Sequence, residues 1–184
     1  MSFLRPVAIV SLLLIAGCLP SLHSVYTEED LVFEPEIVGF WKLEKSPQTW
    51  DFAKRDGKSY DLVFTDKNGQ PGRFVAHLCR VEGTLFLDLL PRQEKIDATA
   101  FYKYHLLPIH SVYMVKQMKP SLELVSIDLN WLKQYLADHP DQLSHSTQNN
   151  RTLITASTAE LQKFLVDHRD RFTGSFKLNR AEQK

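Results

Sequence analysis

The chain has 184 residues, of which 43% are hydrophobic and 24% charged, and its formal net charge is zero. This composition is typical of one globular domain that buries a core of its own. The balanced charge argues against nucleic-acid binding, which requires a strongly basic face, and two cysteines are too few for a domain held together by disulfides.

Residues 1–17 are predicted to be a signal peptide. A single positive charge, Arg5, precedes the unbroken apolar run Val7–Ala16. A helix of that length rises only about 15 Å, half the thickness of a bilayer core, so the run favours a signal peptide over a transmembrane helix. The run ends in Ile15-Ala16-Gly17-Cys18, which resembles the lipobox of bacterial lipoproteins.

The lipobox resemblance implies cleavage between Gly17 and Cys18, a diacylglyceryl group on the Cys18 sulfur and an acyl group on the freed amine. Because each buried methylene contributes about 0.8 kcal/mol, two or three such chains would anchor the protein to a membrane permanently. Leu19 stands where an aspartate often marks retention in the inner membrane, which favours a cell-envelope location in the outer membrane. The alternative is a plain secretory signal with a coincidental cysteine.

Residues 18–36 are predicted to be the lipidated tether and an N-terminal segment that precede the barrel. Leu19–Ser24 would act as the tether itself. At roughly 3.5 Å per residue it would reach at most about 20 Å. The folded domain is therefore expected to lie close to the membrane surface.

From residue 37 onward the sequence predicts strands joined by short loops. Apolar residues recur with period two, and glycines at positions 57, 69 and 83 mark tight turns. The eight predicted strands are Ile37–Glu44, Thr49–Lys54, Tyr60–Thr65, Arg73–Val81, Thr84–Leu89, Ile109–Gln117, Leu122–Asp128 and Thr152–Ala156. Most follow one another through short connections. This pattern favours a mainly β fold, an antiparallel meander closed into an eight-stranded barrel over residues 37–156.

Two helices complete the predicted fold. Asp128 can cap a helix over residues 129–138, between the seventh and eighth predicted strands, where leucines recur on one side. Ser157-Thr158-Ala159-Glu160 has the spacing of a capping box and opens a C-terminal helix within residues 157–184. Both helices are expected to pack on the outside or at an end of the barrel.

Gly39-Phe40-Trp41, at the start of the first predicted strand, resembles the Gly-x-Trp pattern of lipocalins and related calycins. The resemblance implies a barrel whose closed end is plugged by Trp41, with a helix after the last strand. It also implies a basic residue stacked on this tryptophan, for which Arg151 is the nearest candidate. A plain core role for Trp41 is the alternative. Tyr26–Phe33 and Ala76–Leu89 also resemble segments of uncharacterised lipoproteins from environmental bacteria, which implies no activity.

Several polar residues are candidates for a site. His77 and Cys79 share one face of a predicted strand, but two ligands are too few for a closed metal site. With Cys18 lipidated, Cys79 has no disulfide partner, and its apolar neighbours predict a buried thiol rather than an exposed one. His105 and His110 bracket a loop boundary and are expected to pin the loop by a hydrogen bond, with contact to a ligand at the barrel rim as the alternative.

Asp88 lies in a strongly apolar strand. Strand alternation places it on the face opposite the leucines, so it is predicted to reach solvent or to pair with a neighbouring strand. The alternative is a buried acid with a tuned pKa. No catalytic residue, metal ligand or cofactor is predicted, because the sequence contains no nucleophile elbow, phosphate-binding glycine loop or pair of catalytic carboxylates.

Two functions follow from the predicted barrel. An eight-stranded barrel can enclose one small ligand or be filled by its own side chains, and the sequence leaves both open. The first function is a membrane-tethered protein that binds a small apolar ligand or lipid. The alternative is a solid barrel that acts through its surface as a structural, assembly or inhibitor protein of the cell envelope, with a protein partner that the sequence does not identify. An enzyme lacks support because no catalytic constellation occurs.

Lipidation of Cys18 is directly testable. In cells fed radioactive palmitate, the wild-type chain is expected to be labelled and shortened by its signal peptide. Cys18→Ser is expected to stay unlabelled and unprocessed, because only a thiol can form the thioether to diacylglycerol. Normal labelling of Cys18→Ser would show that the lipobox assignment is wrong, and Cys79→Ser serves as the matched control that keeps its label.

Overall fold

The computed structural model describes residues 18–92, 96–149 and 151–182, so the predicted signal peptide, Gly17 included, lies outside the described residues. Its centre is a closed antiparallel barrel of eight strands in the order β3-β4-β5-β6-β7-β8-β9-β12, with β12 returning to β3. The barrel strands are β3 (Gly39–Leu43), β4 (Thr49–Lys54), β5 (Ser59–Thr65), β6 (Pro71–Val81), β7 (Thr84–Pro91), β8 (His110–Gln117), β9 (Leu122–Ile127) and β12 (Phe172–Arg180).

Four short strands lie outside the barrel. The sheet continues from one edge of β8 through β1 (Leu19–Ser21) and β11 (Arg151–Ile154) to β10 (His145–Gln148). The fourth, β2 (Leu31–Val32), pairs with β6. The predicted mainly β barrel of eight antiparallel strands is confirmed, and its first seven predicted strands correspond to β3 through β9.

The eighth barrel strand differs from the prediction. Thr152–Ala156 was expected to close the barrel, but residues 151–154 form β11, which pairs with β10 and β1 instead. The barrel is closed by β12, which lies in the region predicted to be only a helix and a tail. The reason is pairing: β12 hydrogen-bonds to β9 on one edge and to β3 on the other, whereas β11 reaches neither strand.

Both predicted helices are present, and both lie between β9 and β12. Helix α2 (Leu129–Asp138) begins at Asp128, whose carboxylate accepts hydrogen bonds from two backbone N–H groups of the first turn. Helix α3 (Thr158–Asp167) begins with the reciprocal capping box of Ser157 and Glu160. Their buried faces, together with the outer faces of β7, β8 and β9, form an outer hydrophobic core.

A shorter helix, α1 (Ala100–Tyr104), lies in the connection between β7 and β8. The sequence had predicted only a loop there. Among the residues that the structure describes, no helix combines the length and the apolar character needed to cross a membrane.

Large side chains fill the interior of the barrel. Alternate residues of the barrel strands point inward and form an inner hydrophobic core with almost no solvent exposure. Within this core, the Trp50 ring meets Phe64 and Tyr113 edge-on, with centroids 5.5 and 6.2 Å apart. Members of this inner core with at most 1% exposure are Ile37, Trp41, Phe52, Tyr60, Leu62, Ala76, Leu78, Leu87, Leu122, Leu124 and Leu178.

The two ends of the barrel differ. In a meander, successive connections alternate between ends, so the hairpins after β4, β6 and β8 share one end with the C-terminus of β12. We call this the closed end, because the short 3-10 helix Pro35–Ile37 packs beneath Trp41 there. The connections after β3, β5, β7 and β9 lie at the opposite end, which we call the open end.

Trp41 and Arg180 hold the closed end together. The indole Nε1 of Trp41 donates to the carbonyl of Ile37 at 2.7 Å, and the Arg180 guanidinium lies over the indole ring, 4.4 Å from its centroid. That guanidinium also donates to the carbonyls of Glu36 and Val38 at 2.6 and 3.0 Å. A basic residue therefore covers Trp41 as the resemblance implied.

The residue that covers Trp41 is Arg180 and not Arg151, which lies on β11 outside the barrel. Arg180 ends the strand that pairs with β3, so its side chain reaches the indole directly. Gly39 leaves room for it: a Cβ at this position would lie 2.5 Å from a guanidinium nitrogen, and the φ angle of +129° also disfavours other residues.

Arg180→Ala is expected to lower the free energy of unfolding by about 2 kcal/mol, because it removes a cation–π contact and two hydrogen bonds from one side chain. Urea denaturation measures the change. Arg151→Ala, which removes an arginine outside the barrel, is the matched control and should stay within about 0.5 kcal/mol of the wild type. Equal losses in the two variants would contradict the assignment.

Candidate functional site

The N-terminal segment is docked on the barrel rather than hanging free. Leu19–Ser21, expected to be part of a tether, forms β1 and pairs antiparallel with the start of β8. Helix α3 contacts the residues that follow β1. Thr158 donates a hydrogen bond to the carbonyl of Ser24 at 2.9 Å, and Gln162 donates one to the carbonyl of Val25 at the same distance. The segment therefore has fixed contacts on both faces.

This docking positions Cys18 at the barrel wall. Leu19 lies opposite Val112, so Cys18 comes beside Tyr113 on β8. Cys18 is half-buried and packs against the inner core, next to the Tyr113 side chain. Burial raises the pKa of Tyr113 and the adjacent Cys18 raises it further, so this hydroxyl stays protonated. Cys18, the residue predicted to carry the lipid, therefore lies at the barrel itself.

Asp88 is completely buried on the outer face of β7. Its carboxylate accepts a hydrogen bond from the backbone N–H of Val25 at 3.0 Å and lies 2.6 Å from Nδ1 of His110 on the neighbouring strand. The predicted pairing with a neighbouring strand is confirmed, but the carboxylate does not reach solvent. The N-terminal segment covers it, which no strand pattern reveals.

His77 and Cys79 lie near Asp88 on the outer face of β6, as strand alternation predicted. His77 Nδ1 is 3.1 Å from the hydroxyl of Tyr26, and the two rings lie 4.6 Å apart. Cys79 is fully buried, as predicted, and burial together with the charge of Asp88 raises the pKa of its thiol. A thiol that stays protonated is a poor nucleophile.

These residues form a polar cluster, Tyr26, His77, Asp88 and His110, beneath the N-terminal segment. Each of its members is hydrogen-bonded to another member or to the backbone of that segment. Within the described residues, no group of three or more histidine, cysteine or acidic side chains could hold a metal ion. We call this cluster the clamp, because its contacts fix the N-terminal segment to β6, β7 and β8.

The two loop histidines differ in role. His110 pins the start of β8 through Asp88, as expected. His105 is exposed, and its ring contacts Phe101 and Tyr104 edge-on within the connection from β7 to β8. It therefore belongs to an exposed aromatic surface that the sequence analysis did not single out.

That surface is the apolar rim, which we define as residues 96–107. All the large hydrophobic side chains that are strongly exposed in the described structure lie in this segment: Ile96, Phe101, Tyr102, Tyr104, Leu106 and Leu107. The signal was present in the sequence as the run Phe101-Tyr102-Lys103-Tyr104, but a buried run has the same composition. Only the fold decides that these rings face outward.

Two open grooves lie on the outside of the molecule. One, of about 670 Å³, is lined by the β10–β11 hairpin and includes Arg151. The other, of about 560 Å³, lies between the hairpin after β3 and the end of β12. Both are open to solvent on the surface of the molecule.

The clamp predicts a pH dependence of stability. Burial lowers the pKa of His77, so its folded form stays neutral where the unfolded chain, with an ordinary pKa of 6.5, takes up a proton. Because the unfolded state then binds more protons, the free energy of unfolding should fall as the pH drops below about 6.5. His77→Gln should reduce this fall between pH 7 and pH 5, measured by urea denaturation.

His23→Gln, at an exposed position of the same segment, is the matched control and should keep the wild-type pH dependence. Burial also lowers the pKa of His168, so part of the slope should remain in His77→Gln. An unchanged slope in His77→Gln would contradict the role given to this residue.

Comparison with known proteins gave no match: no protein family, no curated protein and no solved structure is significantly similar to this chain.

Proposed function

We propose that the protein is a lipid-anchored lipoprotein of the bacterial cell envelope whose solid barrel acts through its outer surface, as a structural, assembly or inhibitor protein. The observation that carries this proposal is the packed interior. Trp41, Trp50, Phe52 and Tyr60 occupy the space in which a hollow barrel of this size would hold a ligand. The chain thus resembles the lipocalins in its barrel, but its own side chains fill the interior.

The lipocalin relationship is part of the proposal. It is supported by Gly39 and Trp41 on the first barrel strand, and by the arginine at the end of the last strand that covers the indole ring. A 3-10 helix before the first strand closes the same end. These features occur together and depend on one another, which gives them more weight than the short sequence pattern alone.

The anchor is supported by the sequence before Cys18 and by the location of Cys18 at the barrel wall. Acyl chains on this residue would bring the membrane to the barrel itself, because β1 begins at the next residue and is paired with β8. Leu19 favours the outer membrane. In this arrangement the barrel surface that faces away from the membrane remains accessible to a partner.

The test is whether the barrel carries a ligand. The lipoprotein is purified from its host in mild detergent and examined by native mass spectrometry. The wild type is expected to show the mass of the lipidated chain alone, because the interior is already filled. A stoichiometric apolar molecule bound to the wild type would overturn the proposal and support the ligand-binding function instead.

A variant with a smaller interior side chain provides the matched control. Trp50 is 6% exposed and contacts Phe64, Tyr113 and Phe176. Trp50→Leu removes most of an indole ring from the inner core and is expected to leave an apolar cavity there. Apolar cavities in protein cores bind small apolar molecules. After incubation with indole, Trp50→Leu is expected to carry one bound molecule while the wild type carries none.

A further inference from the structure

The apolar rim is an exposed surface of unusual composition. Tyr104 is 86% exposed, Phe101 77% and Leu107 65%, whereas the large apolar side chains outside the rim are buried or partly buried in the described structure. Exposed apolar surface of this kind is costly in water and marks an interaction site. Its concentration in one segment of the connection between β7 and β8 indicates a single contact surface.

The rim has a defined local structure. Thr99 caps α1 by accepting a hydrogen bond from the N–H of Tyr102 at 3.2 Å. The His105 ring contacts Phe101 with centroids 4.8 Å apart. These contacts present the aromatic rings outward from one turn of helix, so their exposure follows from the local hydrogen bonds and ring contacts.

The rim leads into the strand beside which the proposed anchor lies. Its C-terminal side runs directly into β8, which begins at His110. Cys18 lies beside Tyr113 on that strand, about 10 Å along β8 from His110. A membrane held at Cys18 is therefore also within reach of the rim at the open end of the barrel.

The composition of the rim suits the boundary between lipid and water. Aromatic side chains with a polar tip, such as Tyr102 and Tyr104, favour the headgroup level of a bilayer, and leucine and phenylalanine enter its apolar part. The charged residues of the segment are one aspartate and one lysine, Asp97 and Lys103, so the rim carries no net charge that would oppose insertion.

We infer that the apolar rim inserts into the lipid–water interface beside the Cys18 anchor, and that this second contact orients the barrel with its open end on the membrane. The inference rests on the proposed lipid anchor, which supplies the bilayer. It assigns the partner of the rim as lipid, and it leaves the closed end, with its polar hairpins, directed away from the membrane.

The test measures the depth of the rim in a bilayer. The full chain is produced in its host with Phe101→Cys or Leu107→Cys, labelled with the polarity-sensitive dye nitrobenzoxadiazole, and reconstituted into vesicles of phosphatidylethanolamine and phosphatidylglycerol that contain doxyl-labelled lipid. The buried, protonated Cys79 should react little. Both rim probes are expected to shift their emission to the blue and to lose about half of their intensity to the quencher.

Asp56→Cys provides the matched control. Asp56 lies on the hairpin after β4 at the closed end, and its side chain is 84% exposed. Its probe is expected to emit as in water and to be unaffected by the doxyl lipid. Rim probes that emit like the Asp56 probe and are not quenched would overturn the inference. The same result is expected if the rim contacts a protein instead of lipid.

Palmitate labelling of the same preparations separates this inference from the proposed anchor. Labelled protein with unquenched rim probes overturns the insertion of the rim and leaves the anchor in place. Protein that carries no palmitate label overturns the anchor. In that case, quenching of the rim probes by added vesicles still supports contact of the rim with the membrane. Absence of quenching overturns that contact.

Discussion

The fold depends on the double pairing of β12. This strand hydrogen-bonds to β9 along one edge and to β3 along the other, so the barrel has no free edge. Without it, both neighbours would expose unpaired backbone groups, and the inner core would open to water. A register shift between Phe172 and Gly174 also lets the strand serve both cores, since Phe172 packs outward on Phe86 while Leu178 points inward.

Closure leads to the solid interior and to the location of the other functional features. Because the inner core is filled by the barrel strands themselves, the function that we propose takes place on the outside of the molecule. There the polar cluster around Asp88 fixes the N-terminal segment, and α3 covers that segment from the other side. The buried carboxylate is thus explained by the contacts that it makes, and the proposed anchor is held rigidly against the barrel.

The molecule is consequently different at its two ends. The closed end carries Trp41, Arg180 and short polar hairpins, whereas the open end carries the apolar rim. A barrel with lipid contacts at one end and a polar surface at the other would have a fixed orientation on a membrane. With this difference between the ends, the proposed anchor would leave the polar surface free for the proposed function.

The sequence by itself determined the features that depend on neighbouring residues. Period-two alternation located the strands β3 to β9, and the spacing of capping residues located α2 and α3, because strand faces and helix caps involve residues only a few positions apart. The four residues that resemble a lipobox and single out Cys18 are equally local. The Gly-x-Trp pattern of Gly39 and Trp41, which resembles that of calycins, is local for the same reason.

Only the tertiary structure decided which distant segments meet. It assigned barrel closure to β12 instead of Thr152–Ala156, and the cation on Trp41 to Arg180 instead of Arg151. It also docked the expected tether as β1 and buried Asp88 beneath it. These outcomes depend on competition among strand edges for backbone hydrogen bonds and on the covering of one face by a remote segment. Neither leaves a periodic signal in the residues concerned.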